Sequence, residues 1–211
     1  MTAKEEILQK IRSAVSTSAP ASDYSSIPRD YPQRGTLDEA GRLRLFEDRL
    51  LDYDAVVYQC SKPEIRQTIQ KAAANRGKHS LVIPEEFPRE HRPDSLQFRT
   101  DALLSYGELD RSEGVLTGCA LAIAVTGTIV LRHSRSEGRR ALTLIPDYHL
   151  CIVYTAQIVE TVVEGVRQMA AFGNFPLTTI SGPSATSDIE MTRVKGVHGP
   201  RFLDVILVVS E

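Results

Sequence analysis

The sequence has few of the residues that mark the commoner redox and metal-binding classes. Its three cysteines, Cys60, Cys119 and Cys151, stand far apart, and none has the C-x-x-C spacing that zinc and iron–sulfur sites use. Tryptophan is absent, and so is the Gly-x-Gly-x-x-Gly pattern of dinucleotide-binding turns. The sequence therefore predicts that this chain binds no cluster, metal or dinucleotide of its own.

An excess of charge of one sign is also missing. The 25 Lys and Arg residues against 27 Asp and Glu residues give a net charge of −2, which offers no attraction to nucleic acid or a membrane surface. The longest apolar runs, such as 120–125 and 205–209, fall far short of the roughly 20 residues that span a bilayer. Because the amino terminus also lacks the apolar region of a secretory signal, we expect a cytoplasmic protein without a membrane span.

The chain of 211 residues, 42% of them apolar, suits one sizeable α/β domain. Residues 2–15 carry apolar side chains at helical spacing and predict an amphipathic helix, which would pack on its own domain or on a partner. Residues 16–35 are rich in Ser, Ala and Pro and predict a flexible connection. We therefore divide the chain into an N-terminal helix with its connection, 1–35, and an α/β domain, 36–211.

Strand and helix patterns alternate through the larger domain. Capping-box signals at Thr36 and Ser61 precede helices, and short apolar runs predict strands near 55–58, 81–83, 142–145 and 150–154. A helix is expected over 157–171. Residues 84–93 predict a surface loop, with His79 and His91 solvated. The alternation favours a parallel sheet covered by helices on both faces.

Polar groups are densest between Ser181 and Pro200, after the apolar run 177–180. Gly182 and Pro183 break the strand, and hydroxyl groups follow where a helix would begin, near Ser184 or Ser187. Free amides and hydroxyls at a helix start form an anion cradle, although the same residues also serve as ordinary helix caps.

The second half of this stretch contains the candidate proton-transfer groups Asp188, Glu190 and His198. A histidine between Gly196 and Gly199 is suited to general acid–base work, and equally to local hydrogen bonding. A metal site is disfavoured, because two carboxylates spaced two residues apart on a helix face different ways.

A second candidate anion site is the turn Thr126-Gly127-Thr128. Its backbone amides could converge on an anion, or its threonines could simply satisfy a hairpin. Guanidinium groups, which suit carboxylates and phosphates, follow the turn at Arg132, Arg135, Arg139 and Arg140, and the sequence does not tell which of them faces a site. His149, just before a strand, is interpreted as a structural residue rather than a ligand contact.

Three sequence blocks carry a family resemblance. They are GPSATSDIE with KGVHGP in 182–200, AVTGTIVL in 124–131 and GRRALTLIPDYHLCIV in 138–153. In their order and spacing they resemble the lactate-utilisation protein C family, whose fold is the LUD domain, over 114–209. Val125 departs from the family, which usually has an acidic residue there, and this weakens an acid–base role for the turn.

The resemblance implies a three-layer α/β fold with a largely parallel central sheet, similar to the ribose-phosphate isomerase, glucosamine-phosphate deaminase and CoA-transferase group. Loops 126–128 and 181–188 would then converge at the carboxyl ends of the strands, where such sheets bind ligands. The ligand-binding residues expected on this basis are Thr126, Gly127, Thr128, Ser181, Gly182, Ser184, Thr186, Ser187 and Gly199.

The resemblance also implies a function, the oxidation of L-lactate to pyruvate by a complex whose iron–sulfur clusters lie in partner subunits. This chain would be a cluster-free subunit that binds a small anion or a partner. Two alternatives stay open. One is a stand-alone enzyme acting on an anionic substrate, with Asp188, Glu190 or His198 transferring protons. The other is a structural or regulatory module that uses the 181–200 stretch for folding and self-association.

Overall fold

The computed structural model describes residues 2–16, 24–186, 194–195 and 199–209, and the chain divides into two compact units, 1–31 and 32–211. Within this described part the α-helices are α1 (Ala3–Ser16), α2 (Glu39–Asp52), α3 (Ile65–Asn75), α4 (Tyr106–Asp110), α5 (Arg140–Leu144) and α6 (Val162–Ala170). The first unit contains α1, which confirms the predicted amphipathic helix. None of the helices in the described ranges combines the length and apolar character that crossing a membrane requires.

The second unit contains all the described strands. They are β1 (Val56–Ser61), β2 (Ser80–Ile83), β3 (Gln97–Thr100), β4 (Val115–Thr117), β5 (Leu121–Ile123), β6 (Thr128–Arg132), β7 (Tyr148–Tyr154), β8 (Ile158–Val159), β9 (Leu177–Ser181), β10 (Ala185–Thr186), β11 (Val194–Lys195) and β12 (Phe202–Val209). Short 3-10 helices lie at Tyr24–Ser26, Lys62–Glu64, Arg89–His91, Ala124–Thr126 and Thr155–Gln157.

Six strands form a parallel central sheet in the order β1-β12-β7-β4-β2-β3, which confirms the expected α/β class. A smaller mixed sheet has the order β8-β5-β6-β9, and β10 pairs antiparallel with β11. Sequence neighbours on β12 show that both faces of the central sheet are buried. Val205 and Leu207 pack in a core with Phe46 of α2, whereas Ile206 packs in a second core with Ile69 of α3.

A buried ion pair ties α3 to the sheet. The Asp204 side chain on β12 is fully buried and accepts hydrogen bonds from Arg76 Nη2 at 2.6 Å and from the Tyr148 hydroxyl at 3.1 Å. Burial, together with the charge of Asp204, raises the pKa of Tyr148, so the phenol stays neutral and donates. Every group in this network has a partner, which is the condition under which charge is tolerated inside a protein.

Two local predictions were wrong. The run 142–145 is not a strand, because residues 140–144 form helix α5, which turns Leu142 into a cluster with Val82 and Leu109. Short apolar runs do not distinguish a strand from a buried helical turn, and tertiary packing decides between them. A helix starting at Ser184 is also wrong, because the chain continues as strand β10, and the alternative start near Ser187 lies outside the described residues. The predicted helix over 157–171 begins later, at Val162, after Thr161 caps it.

Candidate functional site

The turn Thr126-Gly127-Thr128 is a tight connection between the antiparallel strands β5 and β6. Gly127 has a φ of 57°, and a Cβ there would lie 2.9 Å from Arg49 Cβ, so the turn packs against α2. The Thr126 and Thr128 hydroxyls are 2.7 Å apart, and Thr128 Oγ1 lies 2.8 Å from Ser181 Oγ on β9. These hydroxyl groups therefore connect the turn to Ser181, the first residue of the 181–200 stretch.

Residues at the two ends of the 181–200 stretch line a cavity of about 310 Å³. Four of the expected ligand-binding residues line it, namely Ser181, Gly182, Ser184 and Gly199. Gly182 has a φ of 80°, and a Cβ there would lie 2.4 Å from Tyr53 Cβ, so the turn requires glycine. The Ser184 amide donates to the Pro200 carbonyl at 2.8 Å and holds the two ends of the 181–200 stretch together.

The cavity lies at a different edge of the sheet from the one expected. Its floor includes His149 and Leu203, the second residues of the parallel strands β7 and β12, which are paired with each other in register. The convergence of loop 181–184 at the carboxyl ends of the central strands was therefore a wrong prediction. The reason is that β9 belongs to the smaller sheet, which brings its end to the amino-terminal edge of the central one.

His149 is the most informative residue of this floor. Only 1% of its surface is exposed, and its Nε2 is 2.8 Å from Thr117 Oγ1. Its Nδ1 is buried and has no hydrogen-bond partner among the described residues. An unpaired buried polar atom costs about 1–3 kcal/mol, so the interpretation of His149 as a fully satisfied structural residue holds for only one of its two ring nitrogens.

The arginines that follow the hairpin fall into two groups. Arg139 donates from Nε to Asp101 Oδ2 at 2.8 Å, and Arg135 donates from Nε to Glu85 Oε2 at 3.0 Å. The Arg132 guanidinium carbon lies 5.3 Å from the centre of the Phe175 ring. These three side chains are therefore engaged within the fold.

Arg140 is different. It begins α5, is exposed and lines the cavity, and within the described part of the chain its guanidinium makes no hydrogen bond or ion pair. A free guanidinium and an unpaired imidazole nitrogen whose residues line one cavity are the kinds of group that bind a carboxylate and a neighbouring oxygen. The side chains of Thr143 and Thr178 add hydroxyl groups to the cavity wall, and Leu144 adds an apolar surface.

Behind His149 lies a buried polar cluster. Thr117 Oγ1 is 4.0 Å from Cys151 Sγ as well as close to the imidazole. A hydrogen bond from the Cys119 thiol lowers the pKa of Cys151, burial opposes that shift, and His149 and Thr117 lower it further. The contact between Thr117 Oγ1 and His149 Nε2 in this cluster helps to fix the orientation of the imidazole.

Several expected residues are not brought together in the described structure. Thr126, Gly127 and Thr128 do not line the cavity, and Val125 is partly exposed, with its amide donating to the Glu160 carbonyl at 3.1 Å. Thr186 lies in β10, while Ser187, Asp188, Glu190 and His198 fall outside the described residues. Within the described ranges no group of three or more His, Cys, Asp or Glu side chains is placed to hold a metal ion.

Comparisons with known proteins give the family. The sequence profile of the LUD domain matches residues 106–208. The chain is 46% identical over 209 residues to a protein named Lactate utilization protein C from Deinococcus radiodurans, covering 98% of this chain and 95% of that one. Another protein of the same name, from Macrococcus caseolyticus, is 36% identical over 105 residues, which is 47% of this chain and 45% of that protein.

A solved structure agrees. The crystal structure of a DUF162 family protein from Deinococcus radiodurans superposes with a TM-score of 0.72 at 43% identity, covering 83% of this chain and 100% of that one. The resemblance expected from the sequence blocks is confirmed, and the chain belongs to the LUD domain family of lactate utilization protein C.

Proposed function

We propose that this chain takes part in lactate utilisation by binding a short carboxylate, L-lactate or pyruvate, in the cavity between Arg140 and His149. The names of its relatives support the role in lactate utilisation. The observation that carries the binding role is the combination of a free guanidinium and an unpaired imidazole nitrogen in one small cavity.

The chemistry of the two groups matches the two ends of such a ligand. The carboxylate would pair with the Arg140 guanidinium through two parallel hydrogen bonds. The hydroxyl of lactate would donate to His149 Nδ1, or the keto oxygen of pyruvate would accept from Nδ1–H in the other tautomer, so that this nitrogen gains the partner that it lacks in the fold. Leu144 and Leu203 would contact the methyl group. The cavity volume of about 310 Å³ is at the small end of ligand pockets, which span about 300–1,000 Å³.

The oxidation itself is assigned in this proposal to partner subunits that carry iron–sulfur clusters. Lactate loses two electrons and two protons on becoming pyruvate, and the clusters would accept the electrons one at a time. The role of this chain is to hold and orient the acid. In this proposal His149, which contacts Thr117, would hydrogen-bond the oxygen from which one of the protons leaves.

Calorimetric titration tests the binding role. We expect the wild-type protein to bind L-lactate or pyruvate at least about tenfold more tightly than propionate, which lacks the second oxygen. A hydrogen bond to a buried group contributes about 1.4 kcal/mol, and that free energy corresponds to a tenfold ratio of dissociation constants. Arg140→Gln should abolish the binding of all three acids. Arg135→Gln is the matched control, since Arg135 is already paired with Glu85, and it should change nothing.

A third variant isolates the imidazole. In His149→Gln the new amide can still reach Thr117, but no group remains at the position of Nδ1. We expect this variant to bind lactate and propionate equally. If wild-type protein already binds them equally, the contact with His149 is wrong, and if it binds no acid at all, the ligand proposal fails.

The complex is tested separately. A tagged copy purified gently from lactate-grown cells should bring down iron-containing subunits and lactate-dependent dye reduction, and removing this chain should abolish the activity. An iron-free, partner-free preparation would contradict the assignment of the electron transfer, while leaving the ligand titrations to stand by themselves.

A further inference from the structure

A second cavity lies at the opposite edge of the central sheet. It has a volume of about 600 Å³ and is lined by the last residues of two central strands, Tyr154 of β7 and Val209 of β12, together with residues 62, 63, 65, 66, 90, 91 and 208. It shares no lining residue with the Arg140 cavity. Ligands generally bind at the carboxyl edge of a parallel α/β sheet, so this cavity has the usual position of a ligand site.

A histidine predicted to be solvated forms one wall. His91 is only 8% exposed, and its Nε2 lies 2.8 Å from the Tyr154 hydroxyl. Burial lowers the pKa of His91 and raises that of Tyr154, so both groups are neutral near pH 7. Within the described residues His91 Nδ1 has no hydrogen-bond partner. The prediction of a solvated His91 was wrong because the 3-10 turn Arg89–His91 folds the ring inward, beside Phe87.

The charges around the cavity form an unmatched pair. Arg66 is neutralised by Asp94, with Nη2 and Oδ2 2.9 Å apart. Lys62 and Glu90 also line the cavity, and neither has an ion-pair partner in the described part of the chain. A positive and a negative group that remain apart in one cavity complement a ligand that itself carries both charges.

The rest of the lining is apolar. Ile65 and Val208 are 1% and 3% exposed and lie between these charged residues and the core. We propose that this cavity is a second binding site, which takes a zwitterion with an apolar body, of the class of the apolar amino acids. Lys62 would bind its carboxylate, Glu90 its ammonium group, and Ile65 and Val208 its side chain.

The test uses L-leucine as the probe, with two analogues that each lack one charge. 4-Methylpentanoate retains the carboxylate and the whole side chain, and 3-methylbutylamine retains the ammonium group. In calorimetric titrations of the full chain we expect leucine to bind at least about tenfold more tightly than either analogue. Glycine, which has no side chain to contact Ile65 and Val208, should also bind at least about tenfold more weakly.

Variants tie the binding to this cavity. Lys62→Met and Glu90→Gln should each weaken leucine binding about tenfold or more, and both residues are exposed, so the fold should be unaffected. Arg135→Gln, whose side chain pairs with Glu85 outside this cavity, is the control and should leave leucine binding unchanged. An absence of leucine binding, equal binding of the singly charged analogues, or unaltered binding in Lys62→Met would each overturn the proposal.

Discussion

Two arginines of this protein, Arg76 and Arg140, have opposite surroundings. Arg76 reaches a fully buried carboxylate, Asp204, which is also bonded by Tyr148, and its guanidinium lies 4.9 Å from the centre of the Phe202 ring. Arg140 lines the same cavity as His149, whose buried Nδ1 has no partner, and within the described residues Arg140 is itself unpaired. The first arrangement is complete without a ligand, whereas we propose that a bound acid completes the second.

On this proposal, the difference separates residues that maintain the fold from residues that bind a ligand. A closed network should make its contribution to the free energy of unfolding, and an open one to the free energy of binding. Substitutions in the Arg76 network should therefore lower the free energy of unfolding, and substitutions of Arg140 should lower the affinity for a ligand.

The largest effect is expected for Arg76→Met. This change leaves the Asp204 carboxylate buried with only the Tyr148 hydroxyl, and breaking a buried ion pair in this way costs about 3–5 kcal/mol. Urea unfolding should show that loss in the free energy of unfolding. A loss below about 1 kcal/mol would mean that Asp204 takes up a proton or finds water, and that the network is not closed.

Arg201→Met is the matched control for this change. Arg201 makes two hydrogen bonds of 2.7 Å with Asp147, but both side chains are substantially exposed. Because water screens exposed pairs, its removal should have a much smaller effect on the free energy of unfolding than Arg76→Met. Equal losses for the two variants would show that bond count, rather than burial, governs stability here.

A smaller effect is expected for Gly182→Ala, at the wall of the open cavity. Its φ of 80° is strained for alanine, and the new Cβ would lie 2.4 Å from Tyr53 Cβ, so we expect a loss of about 1–3 kcal/mol in thermal or urea unfolding. Gly173→Ala provides the comparison, since Gly173 has a φ of 70° with open space around it and should lose only the backbone part. If the two variants behave alike, the contact with Tyr53 does not hold the turn.

The smallest effect concerns pH. Glu108 accepts hydrogen bonds from the Ser105 hydroxyl and amide, each at 2.8 Å, and these bonds, with Arg99, lower its pKa to about 2. Because the folded pKa lies below the unfolded one, the stabilisation is complete above about pH 4.5 and is lost as the pH falls towards 2. Glu108→Gln should flatten the pH dependence of unfolding in that window alone. An unchanged slope would place the acid sensitivity of the protein elsewhere.

The fold was largely predictable from local signals. The alternation of strands and helices indicated a parallel sheet, and the capping signal at Ser61 is present in the structure, where Ser61 and Glu64 are hydrogen-bonded. The expected cap at Thr36 shifts by two residues, to Asp38, which accepts from the Gly41 amide. Local hydrogen bonds span three or four residues, which is why sequence patterns report them well.

The candidate site was predictable only in part. The 181–200 stretch correctly indicated four residues that line the cavity. The roles of His149 and Arg140, in contrast, depend on contacts between residues that are far apart in the sequence. Arg139 and Arg135 pair with residues 38 and 50 positions earlier, and only those contacts single out Arg140 as free. Likewise the unpaired Nδ1 of His149 depends on the register that places Thr117 beside the other ring nitrogen. No pattern in the sequence specifies such long-range pairings.

An NMR titration of isotope-labelled histidine nitrogens tests directly whether the acid contacts His149. The His149 signals are assigned by their loss in His149→Gln. We predict that pyruvate or L-lactate shifts the Nδ1 resonance of His149 in a saturable way and leaves the His91 resonances in place. Unmoved His149 resonances at concentrations that saturate the calorimetric signal would contradict the account. The acid would then bind elsewhere, and the unpaired nitrogen would be a cost of the fold rather than a part of the site.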